Sequence, residues 1–332
     1  MRRERQTASP ANRYRLPLAW AVGSALALSV LAAAPANAAE SGVGFYLLGS
    51  KGPMAGIVPP PGAYIQNDLY FYSGSAGANR DLPIGGQIVA NIDAHAYINL
   101  TTGVWSTEWQ VLGGNVALLG ILPIGSQDVS AAVSIPNVGL GAAVDDDVFT
   151  IGDPVLGAQI GWHSGNFHWN VGALVNVPVG DYQQGEIANV AFNRWGADLS
   201  AALTWLDPDT GIDLSGAIGF TFNGENPDTD YTTGTEFHAE WALSKNFTQA
   251  FSAGLVGYYY QQITGDSGEG ANLGDFKGRV AALGATAAYN FQVGATPVSF
   301  RAKVYHEFAA ENRLEGNAGY LTLSFPIGAG AN

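Results

Sequence analysis

Residues 212–223 carry the sequence IDLSGAIGFTFN, in which a bulky apolar side chain alternates with a small or polar one. Side chains of a β-strand point alternately to its two faces, so this period of two predicts a strand with one apolar face. Similar stretches recur through the C-terminal half of the chain. A sheet between lipid and a wet lumen shows this pattern, which therefore predicts an all-β fold: a transmembrane antiparallel up-and-down β-barrel.

The N-terminus separates a membrane barrel from a soluble β-sandwich, whose strands alternate in the same way. Five arginines between positions 2 and 15 precede an apolar run over 16–34, and Ala36-Asn37-Ala38 fits a small-x-small cleavage site. This predicts a secretory signal peptide over 1–38, cleaved before Ala39, with an uncleaved anchor as the alternative. Beyond it, no apolar stretch reaches the ~18–20 residues of a membrane helix, so any span in 39–332 must consist of strands.

Composition argues against several kinds of function. The formal net charge of −14 makes nucleic acid an unsuitable partner, and a chain without cysteine has no disulfide, thiol nucleophile or thiolate metal site. The five histidines occur singly, without the spacing of a zinc site, and no nucleophile elbow or phosphate-binding loop is present. We therefore expect no catalytic, cofactor-binding or metal-binding residues. Asp145-Asp146-Asp147 is interpreted as a solvated loop tip, with a calcium site as the alternative.

The alternation also gives a strand map. Strands are predicted, from the C-terminus backwards, over 317–326, 298–309, 279–292, 248–263, 235–244, 212–223, 194–205, 167–178, 154–163, 129–135, 109–122, 88–100 and 64–72. Bacterial single-chain barrels have even strand numbers, so the sequence predicts 12 strands, or 14 if residues 43–48 add one. Residues 39–62, rich in proline and glycine towards their end, form either that extra strand or a plug in the lumen.

Connections between these strands alternate in length, and aromatic residues on the apolar faces lie near both ends of successive strands. Long outer loops, short periplasmic turns and two aromatic girdles are typical of outer-membrane barrels. The sequence therefore predicts the outer membrane of a Gram-negative bacterium, with the long loops outside. The expected partners are outer-membrane lipid, lipopolysaccharide and, during insertion, the barrel-assembly machinery.

Charged and polar residues on the opposite register are predicted to face the lumen, because an arginine or lysine facing lipid costs about 2–4 kcal/mol at the bilayer midplane. In the strand over 88–100, the even-numbered residues, all Ile, Ala or Leu, are predicted on the lipid face, and Asp93 and His95 inside. Each candidate either lines a selective pore or belongs to a structural ion-pair network. The pore-lining candidates are Asp93, His95, Arg194, Asp198, Asp213, Glu236, His238, Glu240, Tyr258, Tyr260, Arg279, Arg301, Lys303 and Glu307.

Several short motifs carry a family resemblance along nearly the whole mature chain. They include Gly152-Asp-Pro-Val-Leu-Gly, Asn176-Val-Pro-Val-Gly-Asp-Tyr, Asn193-Arg-Trp-Gly and Phe222-Asn-Gly-Glu-Asn-Pro. With these motifs the chain resembles the outer-membrane family named for phenol meta-pathway degradation. The resemblance implies passive uptake of small hydrophobic or aromatic compounds and supplies no functional residues. A lipid-modifying outer-membrane enzyme and a mainly structural or adhesive barrel are the alternatives.

Overall fold

The computed structural model describes residues 43–77, 81–135, 139–272, 274 and 277–327; the expected signal peptide and its cleavage site lie outside them. No helix in the described part is long and apolar enough to cross a membrane. The described chain forms sixteen strands. They are β1 Gly62–Ala76, β2 Leu82–Ile84, β3 Gln87–Val111, β4 Gly114–Ile135, β5 Gly139–Ile151, β6 Val155–Ser164, β7 Phe167–Asn176, β8 Gly196–Asp207, β9 Ile212–Asn223, β10 Glu225–Asn226, β11 Tyr231–Thr232, β12 Glu236–Asn246, β13 Phe251–Gln262, β14 Arg279–Val293, β15 Thr296–Glu311 and β16 Glu315–Ile327.

Twelve of these strands close into an antiparallel barrel, which confirms the predicted fold and strand number. Their order is β1-β3-β4-β6-β7-β8-β9-β12-β13-β14-β15-β16, and β1 pairs with β16 to complete the ring. Thirteen stretches were predicted as strands, one more than the barrel contains. The difference arises because the stretches 109–122 and 129–135 largely belong to one long strand, β4. Residues 43–61 contain no strand. Strands β2 and β5 extend the wall at one end, and β10 pairs with β11 in a separate hairpin.

The connections segregate by length to two rims. One end carries the tight links β3–β4, β6–β7, β8–β9, β12–β13 and β14–β15, and we call it the short-turn rim. The opposite end carries the connections that follow β7, β9 and β13, and we call it the long-loop rim. Between the rims, large apolar side chains such as Leu199, Leu243 and Leu283 are exposed on the outer wall. Trp169 and Phe251 lie towards the short-turn rim, and Trp195 and Phe222 lie towards the long-loop rim.

Strand β3 faces the opposite way from the prediction. Ile92 and Ala94 are 1% and 4% exposed, whereas Asp93 and His95 are exposed on the outer wall. Towards the long-loop rim, beyond the exposed ring of Tyr97, the inner face of the wall packs in a hydrophobic cluster with Val129 and Ile187, among others. A wall that rises into water is polar outside and apolar inside, as in a soluble protein. Asp93 and His95 are therefore not pore-lining residues.

The acidic run Asp145-Asp146-Asp147 is also corrected. These residues lie within β5, where Asp145 and Asp147 are exposed and pair with Ser130 and Asp128 of β4. The Asp146 carboxylate accepts a hydrogen bond from Ala188 N at 2.7 Å. The run thus belongs to a strand of the extended wall and not to a loop tip.

Candidate functional site

Residues 43–61, which we call the lumen segment, run through the inside of the barrel. Near the long-loop rim, a Cβ on Gly44 would lie 2.8 Å from Glu236 Oε2, and Tyr46 Oη donates to Glu240 Oε1 at 2.7 Å. Near the short-turn rim, Ser106 Oγ donates to Pro59 O at 2.7 Å. The segment therefore crosses the lumen from the long-loop rim to the short-turn rim before β1 begins.

Glycine allows the segment to approach the wall closely. A Cβ on Gly56 would lie 2.4 Å from His168 O and 2.6 Å from Thr204 N, distances that no side chain tolerates. Gly49 has a φ of +82°, a left-handed conformation that favours glycine. The three prolines at 59–61 lack a backbone N–H and so cannot donate to a strand ladder. This composition explains why the segment is irregular.

Lys303 holds the middle of the segment. Its Nζ donates to Gly49 O at 2.5 Å, Ser50 O at 2.7 Å and Lys51 O at 3.0 Å, and the side chain is only 3% exposed. The ammonium also lies 4.4 Å from the centroid of the Tyr320 ring, within the range of a cation–π contact. Charge-assisted hydrogen bonds of this kind are stronger than neutral ones. Lys303 is thus an anchor for the segment.

A second group of contacts holds the segment nearer the short-turn rim. Met54 N donates to Asp213 Oδ2 at 2.9 Å and to Ser215 Oγ at 3.0 Å. Gly56 N donates to Thr204 Oγ1 at 2.9 Å. Asp213, predicted to face the lumen, therefore points inward and binds the segment's backbone.

Several other predicted lumen residues meet around Tyr46. His238 Nε2 lies 2.7 Å from Asp198 Oδ2, and Thr221 Oγ1 donates to the same oxygen at 2.7 Å. The Tyr46 ring stacks on the His238 imidazole, with centroids 3.6 Å apart. All four wall residues of this cluster, counting Glu240, are buried. The cluster fixes the part of the lumen segment that lies nearer the long-loop rim.

The three pore-lining candidates of β15, Arg301, Lys303 and Glu307, do not form one unit. Glu307 accepts hydrogen bonds from Tyr72 Oη and Tyr258 Oη, each at 2.8 Å, and from Gly316 N at 3.0 Å. Lys303 binds the lumen segment, as described above. Arg301, which is partly exposed, makes one long hydrogen bond to Thr286 Oγ1 at 3.4 Å. Three neighbours on one strand face thus belong to three different environments.

The remaining candidates lie nearer the long-loop rim. Tyr260 Oη donates to Glu236 Oε1 at 2.6 Å, and the Tyr260 ring lies beneath the Arg313 guanidinium. Arg194 is buried and its Nε donates to Asn223 Oδ1 at 3.3 Å. Arg279 pairs with Glu311 in a solvent-exposed salt bridge, at 2.5 Å. Arg279 therefore contributes to the rim and not to the interior.

Sequence reasoning missed an apolar lining on the opposite wall of the lumen. On β3 and β4 the inward-facing residues Ala96, Ile98, Leu100, Leu119 and Ile121 are only half-buried, and we call them the apolar stripe. Their direction follows from Ser106, which shares their face of β3 and reaches the lumen segment. The aromatic residues carried the missed signal. Tyr97 and Trp105, at odd positions of β3, mark the side that faces lipid.

Four motifs of the family resemblance converge at the long-loop rim. The buried carboxylate of Asp153 accepts hydrogen bonds from Asn176 Nδ2 at 3.0 Å, Gly180 N at 2.9 Å and Phe192 N at 2.8 Å. Asn193 Nδ2 donates to Asn226 Oδ1 at 2.9 Å. These contacts order the connection from β7 to β8, whose buried Ile187 and Ala188 join the inner hydrophobic cluster. The motif residues thus hold the connections of the long-loop rim in place.

Another carboxylate, Asp266, ties two outer loops together. Its oxygens accept hydrogen bonds from Tyr231 Oη, from Gly234 N at 2.8 Å and from Gln262 Nε2 at 2.6 Å. Burial raises the pKa of Asp266 to about 6, against the stabilising effect of these donors. Among the residues that the structure describes, no group of three or more histidine or acidic side chains is arranged to hold a metal ion.

The fold is similar to that of solved membrane barrels. The COG4313 outer membrane channel from Pseudomonas putida F1 superposes with a TM-score of 0.65 at 17% identity, over 83% of this chain and 99% of that one. A Pseudomonas aeruginosa FadL homologue reaches 0.41 at 12% identity, over 80% and 90%, a score too low to bear on function. Curated protein sequences yield no match.

The sequence also matches a protein family. The match extends over residues 78–323 and so includes eleven of the twelve barrel strands, from β3 to most of β16. The chain therefore belongs to the family described as "Putative MetA-pathway of phenol degradation", with the fold of an outer-membrane β-barrel.

Proposed function

We propose that the protein is an outer-membrane channel for the passive uptake of small hydrophobic or aromatic compounds. The observation that carries this proposal is the apolar stripe, because half-buried Ile98 and Leu100 face the inside of the barrel. Burial of apolar surface is worth about 25 cal/mol per Å², so such a lining favours an aromatic ring over a sugar. The family's description, which refers to phenol degradation, supports an aromatic solute.

The lumen segment is proposed to close this channel in the described conformation. It contacts walls on both sides of the lumen, through Lys303 of β15 and through Thr204 of β8. Its hydrogen bonds and its one ammonium anchor are reversible contacts. Solute passage therefore requires part of the segment to undock, and the channel is a gated one.

Transport by purified protein in liposomes tests the proposal. Phenol and catechol uptake is compared with uptake of a small neutral sugar, in vesicles with wild-type protein and without protein. Ile98→Ala with Leu100→Ala should lower aromatic uptake several-fold, since two large side chains of the stripe are lost. The matched control is Leu199→Ala with Leu203→Ala, which removes two aliphatic side chains of equal size from the lipid-facing wall of β8.

Aromatic uptake no faster than in protein-free vesicles, for the wild type and for a folded variant lacking residues 44–56, would falsify the channel proposal. Fatty-acid release from the vesicle lipids is measured on the same preparation. Release that depends on the protein supports the enzyme alternative instead. Unchanged permeability of cells after deletion of the gene supports a structural or adhesive role.

We further propose that the protein resides in the outer membrane of a Gram-negative bacterium. Lipid and lipopolysaccharide then surround the exposed apolar wall, and the barrel-assembly machinery inserts it. A mature chain that begins at Ala39, fractionates with outer membranes and shifts its gel mobility on heating is the expected result. Recovery of the protein from the soluble periplasmic fraction contradicts this location.

A further inference from the structure

The outer wall of the barrel carries a polar patch, which we call the amide patch: Asn67 of β1 with Asn99 and Thr101 of β3. Asn67 Nδ2 donates to Asn99 Oδ1 at 3.0 Å and to Thr101 Oγ1 at 3.1 Å, and Asn99 Nδ2 donates back to Asn67 Oδ1 at 3.0 Å. On β3 these residues lie between the outward rings of Tyr97 and Trp105, which are 59% and 52% exposed.

Lipid does not explain this patch. Within the patch Thr101 Oγ1 also donates to Asn99 Oδ1 at 3.1 Å, which leaves one N–H of Asn99 and one lone pair of Asn67 Oδ1 over. Acyl chains neither donate nor accept hydrogen bonds, so they offer no partner to this remaining capacity. The outward face of β12, across the barrel from β3, shows the ordinary composition: Phe237, Ala239, Trp241 and Leu243. The same stretch of wall on β1 and β3 is thus built differently from a surface that meets only lipid.

Next to the amide patch the wall is indented. Gly103 of β3 pairs with Gly120 of β4, and a Cβ on Gly103 would meet no atom within 4 Å. The resulting groove has a volume of about 330 Å³ and is bordered by Trp105, Leu118 and Leu156. In membranes, where apolar surfaces gain little by leaving lipid, small residues that allow close approach and polar groups that bond across an interface drive protein association.

We infer that the wall of β1, β3 and β4 is the docking surface for a second copy of this chain. A carboxamide presents both a donor and an acceptor, so the amide patch is complementary to itself and fits a two-fold contact. The indentation at Gly103 receives a protruding side chain of the other copy. This inference needs only the membrane location and holds whether or not the barrel transports phenols.

Disulfide cross-linking tests the contact, because the chain contains no cysteine and each introduced thiol is unique. Leu69, which pairs with Asn99 and is 41% exposed, is changed to Cys in one variant. Leu243 on the opposite wall, 45% exposed, is changed to Cys in the matched control. After mild oxidation of outer membranes, the first variant should give a covalent dimer and the second should remain monomeric.

A second pair of variants tests the amides themselves. Asn67→Leu with Asn99→Leu, in the Leu69→Cys background, should lower the dimer yield by about tenfold while the heat-dependent gel shift of the folded barrel persists. Equal cross-linking of the two single-cysteine variants overturns the inference, because it indicates random collision. It is likewise overturned by a monomeric mass of the wild type in both detergent and nanodiscs, which leaves lipid as the occupant of the wall.

Discussion

Replacement of Lys303 by Met should release the lumen segment. Methionine keeps most of the side-chain length and removes the ammonium that binds Gly49 O, Ser50 O and Lys51 O. Hydrogen bonds to a charged group contribute about 1.5–3 kcal/mol, so losing these bonds costs about 3 kcal/mol. Tyr305 and Tyr320 still donate to Gly49 O and Leu48 O, which keeps the cost from rising further. A cost of about 3 kcal/mol raises the undocked population roughly 100-fold.

Single-channel recording and limited proteolysis read out this population. The open probability of Lys303→Met should rise in planar bilayers, and a protease should cut within residues 43–61 while the barrel stays intact. Arg301→Met is the matched control, because Arg301 lies two residues away on the same face and makes only one hydrogen bond of 3.4 Å to Thr286. Its replacement should alter ion preference with little effect on segment cleavage.

Two results refute this reasoning. If both variants open equally often and resist protease equally, Lys303 does not hold the segment. If Lys303→Met lowers the unfolding temperature of the barrel without exposing the segment to protease, the ammonium stabilises the wall itself.

Gly56→Ala should also release the segment, because its Cβ would lie 2.4 Å from His168 O, whereas Gly52→Ala meets nothing closer than 3.5 Å and should leave conductance unchanged; equal conductance of the two variants contradicts the close approach. Asp266 should make the outer loops pH-dependent. Since its folded pKa of about 6 lies above the ordinary value of ~3.9, the loop contact strengthens as pH falls from 7 to 4 and weakens as pH rises through 6, by about 2–3 kcal/mol. Hydrogen exchange of the loops should show this trend in the wild type and lose it in Asp266→Asn, whose amide resembles the protonated acid; a trend that persists rules out Asp266 as its source. Finally, an epitope tag at 268–272 should be labelled on intact cells and a tag at 207–211 should not, and the reverse result inverts the proposed orientation.

The barrel strands were predictable wherever lipid lies on one side and polar groups lie on the other. The stretch 212–223 and strand β9 have the same bounds, and inward Asp213, Asp198 and Glu240 follow from the same rule. The rule fails at β3 for two reasons. The lumen beside Ile98 is apolar, and the part of the wall beyond Tyr97, towards the long-loop rim, has its polar face outside. Period alone gives two faces and does not say which one meets lipid.

The lumen segment was less accessible to sequence reasoning for a different reason. An irregular chain has no period, and its contacts join residues far apart in sequence, such as Gly49 and Lys303. Glycine and proline in 51–62 indicate only that a strand is disfavoured there. Which wall residues bind the segment depends on barrel geometry, which fixes positions only after the ring has closed.

The position of the lumen segment also constrains how the barrel is assembled. The segment leads directly into β1, and β1 forms one side of the seam that β16 closes over residues 63–75 and 315–327. Its anchors Lys303 and Tyr320 belong to β15 and β16, the barrel strands furthest from the segment along the chain. The segment therefore cannot form its contacts with Lys303 and Tyr320 until β15 and β16 have joined the barrel. Closing the seam and filling the interior are therefore coupled, because the strand that closes the ring, β1, directly continues the segment.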